Sequence, residues 1–136
     1  MATSRRVLGR ELLRKKLAAL PKAVKVNLQA SLSKDAEELA TLMRSRVNDR
    51  TGALSSSIVA EPFNRGGIGA IIRAGGKATT KPVRQGQSAT YDYAMAIELG
   101  TQDALARPFF YPSFRLKRTT IKRRASKAVR AAVAQV

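Results

Sequence analysis

The longest regular pattern of apolar positions lies in the first third of the chain. Apolar side chains recur every three or four residues from Leu28 to Val47, which is the spacing of one face of an α-helix. The predicted buried stripe consists of Leu28, Leu32, Ala36, Leu39, Met43 and Val47. The helix should end in the following "VNDRTG", because Asn and Asp favour turns and Gly52 can adopt a positive φ.

A shorter helical pattern precedes it over residues 6–20. Its apolar positions are Leu8, Leu12, Leu13, Leu17 and Leu20. Pro21 should mark a kink or a restart between the two helices. The N-terminus carries scattered charges where a signal peptide has an apolar core, and no apolar run reaches about 18 residues. Glu11 also argues against an organelle presequence, so we expect a soluble, intracellularly made protein without a membrane partner.

The middle of the chain changes to strand-like composition. Residues 57–63 and 68–74 are rich in Ile and Val and are separated by "NRGG", which predicts an antiparallel hairpin. Residues 75–90 contain glycine, polar side chains and three positive charges, with almost nothing apolar. We therefore predict a mobile loop there, or an arm that becomes ordered only against a partner.

Two further elements complete the chain. Residues 91–101, "YDYAMAIELGT", fit both a helical and an alternating pattern, and we favour a short helix closed by Gly100. From about Pro112 to Val133 the pattern is that of an amphipathic helix with a strongly basic second face. Its predicted apolar face consists of Phe114, Ile121, Ala125, Ala128, Val129 and Ala132. The prediction is an α+β fold with a long N-terminal helix, a small antiparallel β-sheet (the hairpin plus a further strand) and a C-terminal helix.

Composition narrows the possible functions. A chain of 136 residues fits one domain, here 1–136, and it contains neither cysteine nor histidine. These absences remove the commonest general base and the commonest metal ligands, so an enzyme is disfavoured and no cofactor is expected. Asp92, Glu98 and Asp103 have no nucleophile or metal partner in the sequence and are expected to pair with arginines. The glycines of "GGIGAIIRAGG" lack the spacing of a phosphate-binding loop.

The formal charge of +17 is concentrated at the two ends of the chain. Residues 1–50 carry 12 basic and 5 acidic groups, residues 51–103 carry 5 and 4, and residues 104–136 carry 9 and none. Such a field favours polyanions or acidic protein surfaces, although a basic helix face can also be simply solvated. The segment "RLKRTTIKRRASKAVR" could bind phosphates without sequence preference.

The aromatic residues are concentrated around "ELGTQDALARPFFYP", residues 98–112. Six of the seven aromatic residues lie in or beside it: Tyr91, Tyr93, Phe109, Phe110, Tyr111 and Phe114. Arg107 is close enough in sequence to pair with Glu98 or with a carboxylate of a neighbouring subunit. Pro108 should extend the chain and direct Phe109 and Phe110 to opposite sides. The rings could fill the core, anchor an adjacent subunit or stack on bases; the surrounding Leu, Ala and Pro make stacking the weakest alternative.

Three blocks of the sequence resemble one known family. They are "RTGALSSSI" (50–58), "YDYAMAIELGT" (91–101) and "ARPFFYPSF" (106–114), and their order and spacing are similar to those of the neck, or tail-completion (head-tail joining), proteins of long-tailed bacteriophages and gene transfer agents. The matching positions are Thr51, Gly52, Leu54, Ser57, Ile58, Tyr93, Ala94, Glu98, Gly100, Thr101, Ala106, Arg107, Pro108, Phe109 and Pro112. The departures are "SF" at 113–114, where the family more often has a small residue, and the large basic excess.

The resemblance implies a non-enzymatic virion component at the head-tail junction, assembled in the host cytoplasm. Its expected partners are further copies in a ring, usually a hexamer, a head connector, adaptor or stopper protein, a tail tube or tail terminator protein, and genomic DNA passing through the channel without sequence-specific contacts. The residues expected at the subunit interface are Tyr93, Glu98, Gly100, Thr101, Arg107, Pro108, Phe109 and Phe110. Lys77, Lys81 and Arg84 are expected to contact DNA or a neighbouring ring. The alternative is a free-standing basic nucleic-acid-binding protein.

Overall fold

The computed structural model describes Glu11 and residues 22–48, 50–63 and 65–135. The predicted helix over 6–20 and the kink at Pro21 lie outside the described residues, apart from Glu11, which is helical. The remaining sequence predictions can be compared with the structure.

The fold is α+β, as predicted. The elements in chain order are α1 (Lys22–Arg46), α2 (Ala53–Ser57), β1 (Val59–Pro62), β2 (Ala70–Arg73), a 3-10 turn (Lys77–Thr79), β3 (Thr80–Pro82), β4 (Thr90–Asp92), α3 (Tyr93–Leu99) and α4 (Tyr111–Ala134). The strands form two separate two-stranded antiparallel sheets, β1 with β2 and β3 with β4, where the sequence predicted one hairpin and a further strand.

The long helix α1 packs against α4 and against the first hairpin. Within the predicted stripe Ala36, Leu39 and Met43 are buried, and the structure adds Val24 and Ala40 to the buried face. Gln29 fixes the hairpin to the helix, because its side-chain amide donates to the Gly69 carbonyl at 2.9 Å and accepts from the Gly69 N–H at 3.0 Å. One contiguous core results, made of Leu39, Ala40, Met43, Leu54, Ile58, Ala94 and Phe109.

The C-terminal helix α4 departs from its prediction at its first turn. Phe114 was predicted to be on the apolar face, but its side chain is 46% exposed, whereas Ser113 is fully buried. The reason is local: the Ser113 hydroxyl donates to the Phe109 carbonyl at 2.6 Å, which allows a polar residue to face inward. Ala132 is buried and Ile121 is half-buried, in agreement with the predicted apolar face.

Residues 75–90 have more secondary structure than the sequence indicated. The predicted loop contains a 3-10 turn, the strand β3 and the start of β4, whose register pairs Thr80 with Asp92 and Pro82 with Thr90. The sequence did not predict the 3-10 turn and the strand at residues 77–82, which hydrogen bonds hold in place, and the mobility of the segment stays a prediction. Thr79 is fully buried and donates its hydroxyl proton to the Asp92 carboxylate at 2.5 Å.

Candidate functional site

The three sequence blocks of the resemblance converge in the core. Leu54 and Ile58 come from the first block, Ala94 from the second and Phe109 from the third, and all four belong to the same buried cluster. Arg44 of α1 holds the first block in place, because its guanidinium donates two hydrogen bonds to the Ile58 carbonyl, at 2.7 and 3.0 Å. The blocks therefore position one another, although they are far apart in sequence.

Glu98 connects the second block to the third. Its Oε2 accepts hydrogen bonds from the backbone N–H groups of Phe109 (2.7 Å) and Phe110 (3.0 Å), and its Oε1 accepts one from Tyr111 (3.0 Å). These donors lie at the start of α4, which has no side-chain cap of its own. A carboxylate at a helix N-terminus satisfies unpaired amides and interacts favourably with the helix dipole. Glu98 therefore caps α4 from the end of α3.

The backbone between α3 and α4 is held in a defined conformation. Gly100 has a φ of 79°, and a Cβ at this position would lie only 2.8 Å from the Ala106 nitrogen, so glycine is required there. The Thr101 N–H donates to the Ala104 carbonyl at 2.9 Å, and the Arg107 N–H donates to the Ile97 carbonyl at 2.7 Å. We call residues 101–108 the presenting loop, since all eight are exposed and Leu105 is 91% exposed.

The predicted pairing of acidic residues with arginines is wrong for this region. Among the described residues Glu98 and Arg107 form no ion pair, because the carboxylate of Glu98 is occupied by three backbone amides. Asp92 likewise accepts from backbone amides and a hydroxyl, and Asp103 is exposed and makes no ion pair with a described residue. Arg107 is left with an exposed side chain.

The aromatic residues divide between the core and the surface. Phe109 is 2% exposed and lies in the core, whereas Phe110 is half-buried and packs against the edge of the same core, so the prediction that the two rings point to opposite sides is not confirmed. Phe110 contacts both neighbours edge-on, with ring centroids 6.3 Å from Phe109 and 5.4 Å from Tyr111. Tyr93 packs against the core, and the Lys81 ammonium lies 5.1 Å above its ring.

Asp92 organises the second hairpin. Its carboxylate accepts from the Gly76 N–H at 2.8 Å, from the Ala94 N–H at 2.9 Å and from the Thr79 hydroxyl. Burial alone would raise the pKa of Asp92, but the hydrogen bonds from Thr79, Gly76 and Ala94 together outweigh it and hold the pKa below its ordinary value. A Cβ at Gly75 would collide with this carboxylate, so glycine is needed there as well.

Two groups of exposed basic side chains are candidates for contact with a polyanion. Lys77 lies in the 3-10 turn, Lys81 on β3 and Arg84 in the connection to β4, and all three are exposed. The larger surface is on α4, where six exposed basic side chains fall within one half of the helix circumference at about 100° per residue. We call them the α4 stripe: Arg115, Arg118, Lys122, Arg123, Lys127 and Arg130. None of the six forms an ion pair with another described residue.

Sequence reasoning missed an apolar groove of about 340 Å³ between α1, β2 and the first turns of α4. The residues that line it are Leu32, Asp35, Ala36, Leu39, Met43, Ala70, Ile72, Phe110, Tyr111, Phe114 and Ile121. Asp35 is the one charged member and is 3% exposed. Its Oδ1 accepts from Arg124 at 2.7 Å, whereas its Oδ2 has no hydrogen-bond partner among the described residues. The sequence signal was an acidic residue one position from the predicted apolar stripe of α1.

Within the described ranges no three His, Cys, Asp or Glu residues come together in a way that could hold a metal ion. No described helix combines the length and apolar character needed to cross a membrane. Comparison of the chain with protein-family models, curated proteins and solved structures gives no match.

Proposed function

We propose that this chain is a structural virion protein that forms a ring at the head-tail junction of a long-tailed phage or gene transfer agent. The observation that carries the proposal is the convergence of the three resembling blocks. Leu54, Ala94 and Phe109 pack together in one core. Glu98 binds the backbone amides of Phe109 and Phe110, which directly follow the presenting loop, and so holds the end of the loop in place. Residues of all three blocks thus contribute to holding one exposed loop in a defined conformation.

The surface around the presenting loop supports a role in assembly. Leu105 is 91% exposed, and the neighbouring helix α3 leaves Met95 and Leu99 66% and 67% exposed. Exposed apolar side chains of this size, on the loop and on the helix before it, are candidates for contact with a partner. A loop whose conformation is already fixed loses little entropy on binding, which favours its use as a docking element.

The proposed partners follow from position in the particle. Further copies of the chain would close the ring, most simply as a hexamer. One face would contact the head connector, adaptor or stopper protein, and the other would contact the tail tube or tail terminator protein. Genomic DNA would pass through the centre and would be contacted through its phosphates.

Electron microscopy tests this function. We expect the purified chain, or the chain in assembled particles, to form a closed ring on the particle axis between head and tail. Mass measurement of the purified ring gives the number of copies. Copies located away from the axis, or a chain that is absent from particles, would reject the proposal.

A second function is favoured by a different observation. The α4 stripe extends over about 22 Å at 1.5 Å per residue and has no acidic partner among the described residues, which suits the phosphates of a nucleic acid. A free-standing nucleic-acid-binding protein would use the stripe without forming a ring. In the microscopy experiment the first function predicts a closed ring on the particle axis, and the second predicts no ring.

A further inference from the structure

The groove between α1, β2 and α4 has the properties of an unfilled binding site. Its walls are almost entirely apolar, and two of the aromatic residues at its edge, Tyr111 and Phe114, are exposed. Asp35 is buried beside it with one oxygen satisfied by Arg124 and the other oxygen without a partner. A buried polar atom without a hydrogen bond is unfavourable, so the groove fits a ligand that brings both an apolar group and a donor.

The presenting loop supplies both groups. Leu105 is the most exposed large apolar side chain described, and Arg107 carries up to five N–H donors but forms no ion pair with a described residue. Pro108 restricts Arg107 to an extended conformation, and in extended chain the side chains of residues two apart lie on the same side. Leu105 and Arg107 can therefore enter one groove together.

We propose that the presenting loop of one copy docks into this groove of a second copy. Leu105 packs between the apolar walls, and the Arg107 guanidinium donates to Asp35 Oδ2. The inference rests on the self-association in the proposed function and assigns that association to named surfaces. Asp35 Oδ2 makes the contact selective, because a partner without a hydrogen-bond donor would leave this buried acceptor unsatisfied and would bind less tightly.

The loop and the groove share no residue, so we assign a heterologous contact, in which a copy docks its loop into one neighbour and receives the loop of another in its groove. Each copy therefore offers a loop to one neighbour and a groove to the other. Such head-to-tail contacts generate a closed ring when the rotation between copies closes, and a filament when it does not. A two-fold dimer in which the two loops contact each other is incompatible with this geometry.

Cysteine cross-linking tests the contact without background, because the chain contains no cysteine. The test protein carries Ala104→Cys in the loop, next to the anchoring Leu105, and Phe114→Cys at the edge of the groove, and a short bis-maleimide joins thiols that come together. We expect a ladder of covalent oligomers from the double variant, since each copy links to two neighbours. Each single variant has only one of the two thiols and should give no ladder.

The matched control pairs Phe114→Cys with Val83→Cys, an exposed apolar residue in the connection between β3 and β4. It should give no ladder. Absence of a ladder from the loop-and-groove pair, or equal ladders from both pairs, would overturn the inference. Efficient dimers from Ala104→Cys alone would overturn it too, because they would place two loops together.

Loss of association provides a second readout. Leu105→Ser and Arg107→Gln change exposed side chains, so the melting temperature of each subunit should match that of the wild type. We expect each change to weaken association by at least about tenfold in sedimentation equilibrium, whereas Arg84→Gln, an exposed arginine outside both surfaces, should leave it unchanged. Rings that persist in both variants would reject this contact and leave the proposed function standing. A wild-type chain that associates neither alone nor in assembled particles would reject both.

Discussion

Glu98 is the residue on which the connection between α3 and α4 depends, because its two oxygens accept from three consecutive backbone amides, those of Phe109, Phe110 and Tyr111, where the chain enters α4. We predict that Glu98→Gln lowers the free energy of unfolding by roughly 1.5 to 3 kcal/mol, since hydrogen bonds to a charged group are replaced by weaker neutral ones. Urea denaturation measures the change. Glu61→Gln removes an exposed carboxylate on β1 and should alter stability by less than about 0.5 kcal/mol. Equal stability of the two variants would contradict the capping role.

The same residue shows what the sequence could and could not predict. The sequence predicted a short helix closed by Gly100, and the structure contains it as α3, with Gly100 directly after its last residue. The partner of Glu98 was predicted as Arg107, because a charged side chain is visible in a sequence and a free backbone amide is not. The unpaired N–H groups at the start of a helix become recognisable only when the helix boundary is known.

Among the elements, the predictions were reliable where apolar periodicity was long. The helices α1 and α4, of 25 and 24 residues, lie where their patterns predicted them, because several turns of repeated apolar positions outweigh local exceptions such as the exposed Phe114. The hairpin of β3 and β4 was missed since its residues are exposed and it depends on polar contacts to Asp92. Hydrogen bonds between residues 16 positions apart leave no periodic trace in a sequence.

The dependence of this hairpin on Asp92 leads to a prediction. We expect Asp92→Ala to release the turn at Gly76 and the start of α3, with faster hydrogen exchange of the Gly76 and Ala94 amides and a loss of about 1 to 3 kcal/mol in the free energy of unfolding. The α4 amides should keep their wild-type protection. Asp103→Ala, which removes an exposed carboxylate, is the matched control. Unchanged exchange at Gly76 and Ala94 would show that the hairpin does not need this carboxylate.

The contribution of Asp92 to folding stability depends on pH. Because hydrogen bonds hold its pKa below the ordinary value of 3.8, the folded state favours the ionised form. Its contribution to stability is therefore complete above that ordinary value and is lost as the pH falls through the lower folded pKa. In Asp92→Ala this part of the acid destabilisation should disappear, which thermal melting between neutral and strongly acidic pH would reveal.

At the scale of the whole molecule, the groove could not be foreseen because it needs three distant parts of the chain. Asp35 lies on α1, Ile72 on β2 and Phe114 on α4, and no local pattern relates them. Arg124 adds to this arrangement from the middle of α4. It bridges Asp35 and Glu38 at 2.7 and 2.6 Å, and its hydrogen bond lowers the pKa of Glu38.

Two surfaces could contact DNA, the α4 stripe and the cations of the second hairpin, and they differ in how their charges are arranged. Arg124 is occupied by acids of α1, whereas the α4 stripe and the hairpin cations have no ion pair with a described residue. The stripe carries six charges along one helix face, and the hairpin carries three on short elements at Lys77, Lys81 and Arg84. A row of cations on one rigid helix can follow successive phosphates of a duplex, which favours the stripe as the main contact.

Matched charge removal tests this preference on the intact chain. One variant changes Arg118, Lys122 and Arg130 to Gln, and the control changes Lys77, Lys81 and Arg84 to Gln, so that each loses three charges from exposed positions. Each phosphate contact contributes about 0.9 to the slope of log K against log salt, so the stripe variant should flatten the slope by up to roughly 2.7 and the control by much less. Fluorescence anisotropy with short duplexes of two unrelated sequences measures both slopes. The loss should be equal for the two sequences, since phosphate contacts carry no sequence information. If the Lys77, Lys81 and Arg84 variant loses more of the slope, these three residues are the main DNA contact. If both variants keep the wild-type slope, neither surface contacts DNA.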